Sequence, residues 1–159
     1  MKKLIYTLLA VSILFASCKE EDEIITSVAP SIVGVWTPTS ISVISSYEVV
    51  EMGKIVDSGD SSYTMTPTDE GWGFPAAIEF TTTGTVITTN EDGELETDSY
   101  TTSGSSLTFT NSDDDDEDTY TYTVTTTDLV LTQSVTEIET EDGQTWTSSN
   151  KLTINCTRQ

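Results

Sequence analysis

The chain is predicted to be all-β, an antiparallel up-and-down barrel of about eight or nine strands. Three observations carry that expectation. From Ile32 onward, Val, Ile, Leu, Tyr and Phe alternate with Thr and Ser at a period of two, the mark of strands with one face buried. Turn-forming clusters interrupt these runs at short, regular spacing, which favours hairpins between sequential neighbours. No window of comparable length carries the apolar spacing of an amphipathic helix. A β-sandwich with Greek-key crossings is the alternative that this pattern leaves open.

Taken in order, the strands are expected at Gly34 to Ser45, Tyr47 to Val56, Ala76 to Thr82, Thr85 to Asn90, Glu94 to Thr102, Ser105 to Asn111, Thr119 to Thr126, Asp128 to Glu137 and Thr145 to Thr157. Leu107 and Phe109 share one face, with Thr108 and Thr110 on the other. Tyr120, Tyr122 and Val124 oppose Thr121 and Thr123, while Leu152, Ile154 and Cys156 oppose Thr153 and Asn155. The expected turns include Ser58-Gly59-Asp60, Thr82-Thr83-Gly84, Asp92-Gly93, Ser103-Gly104-Ser105, the acidic run Asp113 to Asp118, and Asp142-Gly143. Asp57 to Pro75 has no regular period and reads as a long connection, ending in Trp72-Gly73-Phe74-Pro75. Connections of that length are typically lids, binding loops or disordered segments.

At 159 residues the chain has room for one ordinary domain, and the barrel is assigned to 32–159. Residues 1–17 read as a secretory signal: Lys2 and Lys3 precede an apolar run from Leu4 to Phe15 that ends in the small Ala16 and Ser17. About a dozen apolar residues fall short of the roughly twenty that span a bilayer as a helix. Residues 18–31 form an acidic tether. Loss of the leader removes two lysines and no acid, which takes the net charge from −21 to −23. Such a surface excludes nucleic acid as a partner, because phosphate binding needs clustered Lys and Arg.

Chemistry is limited by composition. There is no His, which removes the commonest general base and the commonest transition-metal ligand, and the chain is expected not to be an enzyme. No cofactor and no metal site are expected: Asp113 to Asp118 lacks the spacing and central Gly of a calcium loop and reads as solvated charge. Cys156, alternating with Leu152 and Ile154, reads as a small buried hydrophobe.

Three resemblances add to this reading. Leu14-Phe15-Ala16-Ser17-Cys18 resembles the lipobox of bacterial lipoproteins, which implies cleavage before Cys18 and lipidation of its thiol, hence an outer-membrane anchor in a Gram-negative-type envelope. The run Lys19-Glu20-Glu21-Asp22-Glu23 resembles the acidic signal that sends some lipoproteins to the cell surface; the alternative is a domain facing the periplasm. Gly34-Val35-Trp36 at the head of the first strand, with Ala77-Ile78-Glu79-Phe80 before Gly84, Tyr100 to Phe109, Tyr122-Thr123-Val124 before Leu129-Val130-Leu131, and a last strand ending at Arg158, resembles the lipocalin-like domains of envelope lipoproteins. That resemblance implies that Arg158 covers Trp36 at the barrel base, a structural role. The apolar strand faces, turned inward in a barrel, are expected to line a cavity for a small apolar ligand, with Trp72 and Phe74 on a lid and Phe109, Tyr120 and Tyr122 on the wall. The alternative is a solid core whose acidic outer face meets another surface protein or a glycan-handling complex.

Overall fold

A computed structural model describes residues 30–111 and 116–159. The signal segment, Cys18, the tether up to residue 29 and the start of the acidic run lie outside the described residues. Nine strands follow one another: β1 (Gly34–Glu51), β2 (Lys54–Met65), β3 (Ala77–Phe80), β4 (Thr85–Thr89), β5 (Leu95–Ser103), β6 (Ser106–Thr110), β7 (Glu117–Val124), β8 (Asp128–Glu141) and β9 (Gln144–Arg158). Each of β3 to β8 pairs antiparallel with its successor. β1 closes the ring by pairing with β3 on one side and β9 on the other. Eight strands thus make a closed up-and-down barrel, and β2 is an extra strand beside β1.

The register explains the extra strand. Gly34 to Trp36 pair with β3, and Ile41 to Glu51 pair with β2, along the same edge of β1. β2 and β3 are therefore two halves of one descending strand, interrupted by the irregular segment 66–76. Above the barrel rim, the far ends of β1, β8 and β9 continue together with β2 as a four-stranded sheet in the order β2-β1-β9-β8. This extension corrects three expectations. β1 runs through Ser45-Ser46 without a break and turns at Met52-Gly53, where φ is positive at both residues (50° and 77°), as a tight two-residue hairpin requires. Ser58-Gly59-Asp60 lies inside a strand and is not a turn. The irregular connection spans only 66–76, because Asp57 to Met65 is paired strand.

The sheet extension escaped the period-two reading for a physical reason: nearly every residue of β2 is exposed, so neither face demanded apolar side chains. At the other end of β1 the alternation holds but changes phase. Trp36 and Pro38 point inward, then a bulge at Thr39-Ser40 shifts the register and turns Ile41 inward. Asn155 braces the bulge, donating from Nδ2 to Ser40 Oγ at 2.9 Å and accepting from Thr39 Oγ1 at its carbonyl at 3.0 Å.

The barrel interior is a single apolar cluster. Trp36, Phe80, Leu107, Leu129, Leu131, Ile154 and Cys156 are almost wholly buried within it. Phe80 meets Tyr100 edge-on at 5.0 Å between ring centroids, and Phe109 meets Tyr120 the same way at 5.5 Å, a geometry that pairs ring edge with ring face. The Tyr100 hydroxyl donates to the Thr81 carbonyl at 2.6 Å, which ties the β5 side of the core to the β3–β4 turn. Burial holds the Cys156 thiol neutral, its pKa raised from 9.0 to about 12.

Candidate functional site

The residues expected as ligand contacts lie within or against this core. Trp72 leaves the 66–76 segment and is 5% exposed among the core side chains, with Phe74 at 5.8 Å. A turn holds the segment: the Asp69 carboxylate accepts from the Thr66 backbone N–H at 2.6 Å and from its hydroxyl at 2.8 Å. These two bonds hold the Asp69 carboxyl below its usual pKa. Phe109, Tyr120 and Tyr122 pack on the same cluster from β6 and β7. The Tyr120 hydroxyl titrates above its ordinary value, first because it is desolvated and then because the Asp118 carboxylate is near. Asp118 in turn accepts from Gln133 Nε2 at 2.9 Å, so its carboxylate serves a link between β7 and β8.

The base of the barrel is built around Trp36. The Arg158 guanidinium carbon lies 4.3 Å from the centroid of the Trp36 ring. Its two terminal nitrogens donate to the carbonyls of Val33 (3.1 Å) and Ser31 (2.6 Å), while Trp36 Nε1 donates to the Ile32 carbonyl at 2.7 Å. Gly34 makes this possible. Its φ is +139°, and a Cβ there would stand 2.7 Å from an Arg158 nitrogen. The first and third residues of Gly34-Val35-Trp36 thus serve one contact, with the glycine clearing space for the arginine that covers the indole.

Exposed apolar surface is concentrated elsewhere. Of the ten large apolar side chains exposed among the described residues, nine belong to the sheet extension or its Met52 turn, and only Leu95 does not. One face of the extension continues the barrel interior. Directly opposed residues share a face, so the register gives successive rows from rim to tip: Tyr63, Val43, Leu152 and Gln133; Ser61, Ser45, Asn150 and Val135; Gly59, Tyr47, Ser148 and Glu137; Asp57, Val49, Trp146 and Glu139. The character of the rows changes from apolar through small and polar to aromatic and acidic.

Two hollows open on this face. The larger, about 450 Å³, lies over Ser45, Ser61, Ser148 and Asn150 beside Tyr47. The smaller, about 210 Å³, is bounded by Tyr47, Trp146, Glu137 and Glu139, with Ser148 common to both. Tyr47 stands between them. Its ring lies against Gly59, where an added Cβ would sit 2.6 Å from Tyr47 Cε1, and its hydroxyl donates to Asp57 Oδ2 at 3.3 Å. The larger hollow falls within the range of small-molecule sites. Sequence reading missed this face altogether; the one available signal was the late alternation of Trp146, Ser148, Asn150 and Leu152 along β9.

No group of three or more Cys, Asp and Glu side chains is placed to hold a metal ion among the described residues. No protein-family model matches the chain, and no similar curated protein or solved structure is found.

Proposed function

We propose that the chain is a non-catalytic binding module of a bacterial envelope, anchored in the outer membrane by lipid on Cys18 and presented on the cell surface, and that it receives its ligand on the sheet extension. The observation that carries this reading is the contrast between the two ends of the molecule. Thirteen buried hydrophobic side chains make up the barrel core, whereas the extension holds Tyr47, Tyr63 and Trp146 substantially in water beside an open hollow. Large apolar side chains gathered on one exposed face mark a recognition surface. The lack of His and the scatter of carboxylates among many others support binding over catalysis.

The apolar-ligand reading has its own supporting observation: Trp72 enters the core from the irregular 66–76 segment and not from a strand. Withdrawal of that segment, carrying Trp72 and Phe74, would open the barrel mouth to a ligand lined by Phe109, Tyr120 and Tyr122.

One experiment tests both. The lipoprotein is extracted from its own envelope in mild detergent and its indoles are quenched with acrylamide before and after mild denaturation and refolding, which strips bound molecules. A ligand on the extension shields Trp146, the one exposed indole, and its removal raises quenching. A ligand inside the barrel leaves Trp146 quenching unchanged and yields an extra mass by native mass spectrometry. Absence of both effects refutes the binding-module reading. The anchor has a separate test: replacement of Cys18 by Ala releases the protein from the membrane fraction, and retention there overturns the lipidation reading.

A further inference from the structure

We infer that the hollow between Tyr47 and Trp146 is a site for an organic ammonium ion: a small molecule with a positively charged, alkylated nitrogen. This deepens the proposed function and rests on its placement of the ligand.

Trp146 is 46% exposed and Tyr47 43% exposed. They are diagonal neighbours on one face, since Tyr47 opposes Ser148 and Val49 opposes Trp146, a spacing that lets two large rings reach a common ligand. Val49, directly opposite Trp146 and two residues from Tyr47, is 2% exposed, so it is covered by the side chains around it. Gly59 gives the Tyr47 ring room to lie toward β2, away from the β9 side, which leaves the hollow open in front of the indole. On the far wall, Glu139 opposes Trp146 and Glu137 opposes Ser148; Asp57 stands in the same row on β2.

The charge of the hollow selects its occupant. Aromatic faces carry negative potential and attract cations, most strongly at Trp. Three carboxylates lie on the same rows, and no Lys or Arg occurs among these rows from Tyr63 to Glu139. Lys54 lies beyond them at the tip opposite Glu51, and Lys151 faces the other side of the sheet with Ile44 and Ser134. An anionic ligand is repelled by this arrangement, and by a net charge of −21 on the whole chain. A neutral apolar ligand would leave the carboxylates desolvated without a partner, which is unfavourable. An alkylated ammonium satisfies both features, its methyl groups against the rings and its charge toward Glu137 and Glu139.

The test uses the full lipoprotein in detergent at low ionic strength, with choline as probe and 3,3-dimethylbutan-1-ol, the same shape without the charge, as control. Binding is followed by calorimetry and by fluorescence of the exposed indole. Choline is expected to saturate with a Kd on the order of 1 mM, and the alcohol to bind at least tenfold more weakly. Trp146→Ala and the double change Glu137→Gln with Glu139→Gln should each weaken choline about tenfold. The Trp146→Phe variant should keep part of the affinity, and added salt should reduce it. Equal binding of choline and the alcohol, or no saturable response to choline, overturns the ammonium assignment. The two failures remain distinguishable: if material retained from the envelope still shields Trp146 from acrylamide, only the ligand class is wrong, whereas absence of any shielding removes the binding face as well.

Discussion

Replacement of Arg158 by Ala removes three interactions from the barrel base at once. The guanidinium sits 4.3 Å over the Trp36 ring, a contact of about 1–2 kcal/mol when partly desolvated. It also donates to two carbonyls of the entering chain, at Val33 and Ser31, and charge-assisted bonds of this type contribute about 1.5 kcal/mol each at the low end, less where solvent screens them. Against this stands Arg158 Nε, which is buried with no hydrogen-bond partner and costs on the order of 1–3 kcal/mol. The difference is a net stabilisation of about 2 kcal/mol, equivalent to roughly a 30-fold change in the folded-to-unfolded ratio. Urea unfolding of Arg158→Ala, followed by tryptophan fluorescence, should show a lower midpoint with little change in slope. Arg158→Lys should recover less than half of the loss, because an ammonium keeps the charge but cannot stack over the indole and bridge two carbonyls together. Loss of less than about 0.5 kcal/mol in the Ala variant, the range of ordinary surface changes, would refute this account of the base.

Other expectations follow from the same packing. Gly34→Ala should destabilise comparably to Arg158→Ala, and the two should be far from additive in a double-mutant cycle, since the added Cβ displaces the guanidinium. The Cys156 thiol binds its proton more tightly folded than unfolded, so its contribution is complete below pH 9.0 and is lost as pH rises toward about 12; at pH 10 on the order of 1 kcal/mol should be gone. Cys156→Ala should flatten that part of the stability curve measured by urea titration, and an unchanged slope would place the cause elsewhere. Gly59→Ala should push Tyr47 off β2 and alter quenching of Trp146 by caesium while leaving overall stability within about 1 kcal/mol, a result checked by parallel quenching and urea titrations.

Several features of the molecule are legible in the sequence alone. Leu107 and Phe109, Tyr122 and Leu131, and Ile154 and Cys156 alternate with Thr because each strand has one face in the core and one in water, and the pleat imposes a period of two. Asp142-Gly143 announced a tight turn, and its φ values of 50° and 80° show why those residue types stand there. Tertiary structure alone decided the rest. Asp57 to Met65 became a strand only by pairing with Ile41 to Val49; a strand exposed on both faces leaves no apolar alternation to read. Trp72 was legible as a large side chain on an irregular connection, but its burial against the core depends on where the 66–76 segment returns. The hollow beside Tyr47 and Trp146 joins opposite ends of the sequence, because β1 closes the barrel on β9. Local patterning encodes which residues turn inward; which inward-facing rows continue past the rim, and what they bring together there, is set by strand lengths and closure, which no single segment contains.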